Sequence, residues 1–319
     1  MDSKVMRDVL IGKIHEKMLT DDTIFFLSAD FGSPALDKLR AECGKRFINV
    51  GIAEQNLINI ATGLALEGYT VYAYAIAPFL TMRAYEQTRN LALLSQIREV
   101  NINLIGVGAG LSYDVTGPTH HCLEDICIMR VLPNVVIFSP SDYVVTEKFV
   151  DYSLNVRLPK YIRLDGKVQP RIYNNAERIS IEQGFFELES GGEAVIVSTG
   201  YMTHKALKVT DVLKKDGVIV GVIDIFMLKP VNEVLLSNAL RKYSYIYTME
   251  EGFINKGGLD SIITNIVNNL EIPTKLRKFG FSDRYVFEVG NRDHLYMVNG
   301  LDGKNIVKTI KKDVMKGYS

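Results

Sequence analysis

Four loops of this 319-residue chain carry side chains with chemistry to offer. They are Ser28-Ala29-Asp30-Phe31-Gly32-Ser33, Val50-Gly51-Ile52-Ala53-Glu54-Gln55-Asn56, Ala77-Pro78-Phe79, and the long stretch from Gly106 to His121. The last contains Gly106, Gly108, Gly110 and Gly117 and ends Pro118-Thr119-His120-His121. Glycine at that density lets a backbone approach a ligand closely. A histidine following it is readily presented as a hydrogen-bonding or proton-carrying group. Glu54 opens a segment with apolar residues at 57, 58, 61, 64 and 65, one face of a helix. A carboxylate there either complements the helix dipole or serves a site. Phe79 offers its flat ring either to a core or to a ligand. His120 and Cys122 lack a clear third ligand, so no metal site is expected from them. There is no Gly-x-x-x-x-Gly-Lys phosphate loop, and no Gly-x-Gly-x-x-Gly opening a helix near the first strand.

Such loops need a scaffold, and the alternation of short β-branched runs with longer helical patterns describes one. Strands are expected at Thr23–Leu27, Thr70–Ala75, Ile102–Val107, Val135–Phe138 and Tyr161–Leu164. Helices are expected between them at Leu57–Leu66, Met82–Ser95, Leu123–Leu132 and Tyr143–Leu154. This is the pattern of an α/β fold with helices covering a mostly parallel sheet, whose ligands sit at the carboxyl ends of the strands. Polar sequence with Pro170 and Asn174-Asn175 then runs to Gly191-Gly192. The expected division is residues 1–167, a connection over 168–191, and a smaller α/β unit over 192–319. In the second unit Ala194–Val197, Val218–Ile223 and Tyr245–Met249 read as strands, and His204–Lys214 and Leu259–Asn268 as helices. From Tyr285 a strand-like pair of residues and two short helices are expected.

Lys plus Arg and Asp plus Glu are each 37, so no global basic field recruits nucleic acid. The opening MDSKVMRDVLIGKIHEKM reads as an amphipathic helix and lacks the apolar stretch of a signal peptide. No apolar run is long enough to cross a bilayer. Three cysteines (Cys43, Cys122 and Cys127) make neither a disulfide framework nor a Cys-x-x-Cys pair. A cytoplasmic location without membrane or nucleic-acid partners is expected.

The same loops carry a family resemblance. Gly51-Ile52-Ala53-Glu54-Gln55-Asn56, the run Phe79-Leu80-Thr81-Met82-Arg83-Ala84-Tyr85-Glu86-Gln87, Gly117-Pro118-Thr119-His120-His121 and Leu123-Glu124-Asp125-Ile126 resemble the pyrimidine-binding domain of transketolases. They are also similar to the matching domain of 1-deoxyxylulose-5-phosphate synthase. Pro133-Asn134, Ser139-Pro140-Ser141-Asp142 and Tyr161-Ile162-Arg163-Leu164 continue the pattern in order. Met249-Glu250-Glu251-Gly252 and Gly257-Gly258-Leu259 resemble the C-terminal domain of that superfamily.

The resemblance implies a thiamine diphosphate enzyme, and assigns roles residue by residue. Glu54 bonds the ring nitrogen of the cofactor's aminopyrimidine opposite its amino group. Proton sharing there favours the imino tautomer, the base that activates the thiazolium. Phe79 stacks on the aminopyrimidine, with Ile76 and Met82 at positions where relatives carry further aromatics. Asp30 lies near the thiazolium. His120 contacts sugar oxygens, with His121 adjacent. Arg163 binds the substrate's phosphate or another terminal anion. Thr116 stands where many transketolases carry an acid that recognises donor hydroxyls, and Asp114 in the longer loop is the candidate to replace it. Arg83 is expected to pair with Glu86 along one helix. Arg292 and His294, near the start of a late helix, are secondary candidates.

Ketol transfer between sugars, phosphorylated or otherwise modified, is the leading activity. The decarboxylating synthase reaction and a 2-oxoacid dehydrogenase beta-type subunit are alternatives, as is a non-catalytic assembly or regulatory homologue. Full-length relatives clamp the diphosphate with a Gly-Asp-Gly motif, a following asparagine and Mg²⁺ or Ca²⁺. This sequence has no such motif. The resemblance therefore implies an N-terminal-type partner subunit that holds most of the metal site, in an assembly of two copies of each chain.

Overall fold

The structure is a computed structural model and describes residues 2–269 and 274–316. In its first part the chain runs β1 (Ser3–Lys4), α1 (Met6–Met18), β2 (Ile24–Ser28), α2 (Ala35–Glu42), β3 (Phe47–Asn49), α3 (Glu54–Leu66) and β4 (Thr70–Ile76). It continues through α4 (Tyr85–Leu94), β5 (Asn101–Val107), α5 (Asp125–Val131), β6 (Val136–Phe138), α6 (Tyr143–Asn155), β7 (Pro159–Leu164) and β8 (Gln169–Pro170). The second part is β9 (Phe185–Glu189), β10 (Ala194–Ser198), α7 (Tyr201–Lys215), β11 (Val220–Ile225), β12 (Met227–Lys229) and α8 (Glu233–Leu240). It ends with β13 (Tyr245–Phe253), α9 (Leu259–Asn269), β14 (Lys275–Phe281), α10 (Arg292–Val298) and α11 (Gly303–Lys316).

Two sheets organise these elements. The first has the order β12-β6-β7-β5-β4-β2-β3 and is parallel except where β12 meets β6. β5 and β7 are buried along their whole length, because helices cover both faces. Leu57, Ile58 and Ala61 of α3 pack on one face, while Leu10, Ile14 and Phe149 of α1 and α6 pack on the other. The second sheet, β14-β13-β10-β11-β9, is parallel except for β9. Its α8 and α9 face supplies Leu236, Leu240, Ile262 and Ile263 to the same core as α3, so the two parts share one apolar contact. β12 strengthens that join by leaving the second part to pair with β6 of the first.

The connection expected over 168–191 is shorter in the structure. β9 belongs to the second sheet, and β8 pairs antiparallel with β1, which ties the N-terminus down. β9 and β14 are edge strands, mostly half-buried or exposed, so their polar residues read as loop. The strand-like pair expected from Tyr285 is irregular, and the strand lies earlier, at β14.

Candidate functional site

Gly51 adopts φ 75°, a left-handed turn that lets the chain leave β3 and enter α3. Glu54 is therefore the first residue of α3, at the positive end of its dipole, and is only 3% exposed. Its carboxylate is not alone. Arg83 Nη1 donates to Glu54 Oε2 at 2.7 Å, and Gln55 Nε2 donates to the Arg83 carbonyl at 3.3 Å. The expected Arg83–Glu86 pair gives way to this one for a geometric reason. Phe79–Arg83 forms a π-helical turn and α4 begins only at Tyr85, so residues 83 and 86 do not share an α-helical face.

The same turn aims Arg83 at Phe79, with the guanidinium carbon 4.6 Å from the ring centroid. His120 packs edge-on against Phe79, with centroids 5.2 Å apart and planes at 73°. Its Nδ1 lies 3.1 Å from Thr119 Oγ1. Three separate segments thus bring Glu54, Arg83, Phe79 and His120 together. Asp30 does not touch this group. It is exposed at the end of β2, where it accepts from Asn49 Nδ2 at 2.8 Å, and Asn49 Oδ1 accepts from the Gly51 amide at 3.0 Å.

The glycine-rich loop is held largely by protein. A Cβ on Gly108 would collide with the Tyr113 ring, and one on Gly110 with the Glu251 carboxylate; only Gly117 of these three faces open space. Close approach at the first two glycines therefore serves packing and not a ligand. Asp114, the candidate substrate acid, has partners within the chain. It is buried, its Oδ1 accepts from the Val115 amide at 2.9 Å, and its Oδ2 accepts from the Arg292 amide at 2.8 Å and pairs with Lys167. Burial would raise its pKa, but these donors outweigh burial and hold it below the ordinary carboxylate value. His121 donates from Nε2 to the Asp114 carbonyl at 3.2 Å, and burial pushes its pKa down.

Arg163, the candidate anion clamp, is bonded inside the chain. Its side chain is 2% exposed, with Nε bonded to Asp125 Oδ2 at 2.7 Å and Nη2 to the Glu251 carbonyl at 3.0 Å. It joins the two parts of the chain and is not offered to solvent. Beside it lies a second buried set. Arg292 pairs with Asp165 at 2.6 Å and with Glu251, and stands over the Tyr201 ring at 3.7 Å. The sequence offered Arg292 as a secondary candidate and Glu250-Glu251 as a motif, but no spacing rule links residues so far apart.

Chemically, the first cluster presents a buried carboxylate beside a flat aromatic face and an imidazole. A planar cation with N–H donors, the Arg83 guanidinium, occupies that place, so the cluster offers a flat polar group both a carboxylate and an aromatic face. Among the described residues no three His, Cys, Asp or Glu side chains gather as a metal cage. No described helix is long and apolar enough to cross a membrane.

Comparison with known proteins assigns both parts of the chain to one family. Residues 3–167 match the transketolase pyrimidine binding domain, and residues 186–306 match the transketolase C-terminal domain. An apulose-4-phosphate transketolase subunit of Actinobacillus succinogenes is 33% identical over 262 residues, which is 82% of this chain and 83% of that one. Mouse transketolase is 32% identical over 93% of this chain but only 47% of its own length, so the chain spans about half of that relative. The solved structure of a split-gene transketolase, an inactive beta4 tetramer, superposes with a TM-score of 0.85 at 30% identity over 97% of both chains. Domain models in the same order and relatives of this identity along nearly the whole chain establish that it belongs to the transketolase family, as a chain of pyrimidine-binding and C-terminal domains.

Proposed function

We propose that this chain is the C-terminal-type subunit of a thiamine diphosphate-dependent transketolase that moves a two-carbon ketol unit from a phosphorylated ketose to an aldose. The observation that carries this reading is the buried Glu54 carboxylate joined through Arg83 to Phe79 and His120. Glu54 holds the aminopyrimidine ring nitrogen and shares its proton. Phe79 supplies the stacking face, and its half-buried position leaves that face reachable. Asp30, exposed at the end of β2, would stand near the thiazolium of the bound cofactor. His120, half-buried at the end of its loop, hydrogen-bonds oxygens of the sugar. Bound thiamine diphosphate supplies the carbanion and the electron sink for breaking and forming the carbon–carbon bond.

The diphosphate end is assigned to an N-terminal-type partner that carries Mg²⁺ or Ca²⁺, because closely spaced phosphate charge needs a cation clamp. Exposed Ile52, Met82 and Val115, adjacent in sequence to the site residues, offer that partner apolar contact. The split-gene relative, an inactive beta4 tetramer, supports contact between such chains, and with the partner present the assembly we propose has two of each kind. A sugar phosphate suits the relatives named for apulose 4-phosphate. With Arg163 and Asp114 committed inside the chain, recognition of the phosphate falls to other groups.

Co-purification of the chain from its native cell, followed by a donor–acceptor screen, tests the reading. Transfer from a ketose without carbon dioxide release supports it, while carbon dioxide from pyruvate and an aldehyde selects the synthase reaction instead. In the cofactor-saturated complex Glu54→Gln should lower turnover by at least about a hundredfold with the melting curve unchanged. Near wild-type turnover would remove Glu54 from the mechanism. Full activity of the rigorously purified single chain would remove the partner.

A further inference from the structure

We infer that Arg83 is a stand-in for the aminopyrimidine in the unpartnered chain, and that its guanidinium has to leave before the ring can enter. The inference rests on the site assignment just proposed and concerns how that site is kept when empty. A guanidinium is planar and carries N–H donors around its edge. In this chain it bonds Glu54 Oε2 at 2.7 Å and lies 4.6 Å from the Phe79 ring centroid. Those are the carboxylate and the aromatic face assigned to the ring. One flat group cannot stack on Phe79 and reach Glu54 while another does the same.

The surroundings of Arg83 suit a group that departs. Its side chain is 47% exposed, whereas the carboxylate it meets is 4% exposed. Arg83 closes a π-helical turn next to exposed Met82, outside the buried core. Arg163 and Arg292 make a useful contrast: both are buried and tied to partners on several elements. Arg83 also serves the Glu54 carboxylate. A buried carboxylate with no partner is costly, and Arg83 satisfies Glu54 until a ring nitrogen replaces it, a proton taken up from solvent then being shared between that nitrogen and the carboxylate.

The exchange is measurable on the full-length chain without a partner, using the free hydroxymethylpyrimidine fragment of the cofactor as probe and following titration by calorimetry or NMR. Arg83→Ala should bind the fragment about tenfold more tightly than wild type, a difference of 1.4 kcal/mol. Arg83→Lys should fall between them, since an ammonium keeps the ion pair but cannot cover the ring. The double variant Arg83→Ala/Glu54→Gln should lose the gain, and melting curves of every variant check the fold. Equal affinity of wild type and Arg83→Ala would overturn the stand-in while leaving the site assignment intact. Weaker binding by Arg83→Ala would overturn it too, because Arg83 would then be holding the ring. Absence of binding by any of the proteins up to the solubility limit of the fragment would overturn the inference together with the assignment beneath it.

Discussion

Arg163→Met separates two views of one residue. The resemblance makes Arg163 a substrate-facing anion clamp, whereas the structure makes it the centre of a buried ion pair. In the structure its Nε meets Asp125 Oδ2 at 2.7 Å, and both side chains are almost wholly excluded from water. Burial alone would lower the guanidinium's pKa, but the charge of Asp125 outweighs burial and raises it. Removing the guanidinium leaves Asp125 with one remaining donor, the Tyr161 hydroxyl at 2.7 Å, while its Oδ1 has no partner at all. An uncompensated buried charge of this kind costs about 3–5 kcal/mol. In a domain of this size that corresponds to a fall in melting temperature on the order of 10 °C. Calorimetric melting of the chain alone measures it, with no partner or cofactor needed. Arg163→Met/Asp125→Asn should recover about half of the loss or more, because the neutral amide still accepts from Tyr161 and no charge is stranded. If Arg163→Met melts within about 1 °C of wild type, the buried pair is not holding the structure together and the reasoning fails.

Two further outcomes follow from the same buried polar groups. Burial pushes Asp224 up to about 6 despite hydrogen bonds from the Ser141, Tyr173 and Thr203 hydroxyls. Between about pH 4 and pH 6 the folded chain therefore holds a proton that the unfolded chain has lost, so this group's stability contribution fades as pH rises through that window. Asp224→Asn should flatten that slope in denaturant titrations and stabilise the chain by roughly 1–3 kcal/mol near pH 8; an unchanged slope would refute the assignment. Arg292→Met strands Glu251 and Asp165 in the interior, and Glu251 is also the acceptor of the Leu111 amide at 3.4 Å. It should cost about 3–5 kcal/mol and lower hydrogen-exchange protection of the Leu111 amide that Glu251 accepts, whereas protection equal to wild type would detach that amide from the Arg292–Glu251 pair.

What was legible in the sequence depended on whether the information was local. β4, β5 and β7 announced themselves because strands covered on both faces carry near-continuous apolar runs, and α3 because its stripe repeats with the helical period. β3, β9 and β14 did not, because an edge strand tolerates polar residues and then resembles a loop. The same division runs through the site. Glu54, Phe79 and His120 sit in local motifs, and the fold brings them to one place. The partners of the arginines were hidden for two different reasons. Arg163 is buried by Asp125 and by a carbonyl from the second sheet, contacts separated by 38 and 88 positions in the chain. Arg83 escapes Glu86 because a π-helical turn, which leaves no trace in apolar periodicity, rotates it toward Glu54.

The two arginines also show why residue type alone does not assign a role. A guanidinium recognises carboxylates and phosphates equally well, so a matching motif transfers the capacity to bind an anion without saying which anion is bound. Within the chain that choice is made by exposure and by competing partners. Arg163 is closed on both counts, with a buried acid and a backbone carbonyl already on its donors. Arg83 is open on both, with half of its side chain in solvent and a single carboxylate partner that a ligand is itself expected to claim. The residue expected to receive an anion therefore belongs to the scaffold. The one expected to make a routine helix pair stands at the mouth of the site, where its departure and the arrival of a ring are the same event.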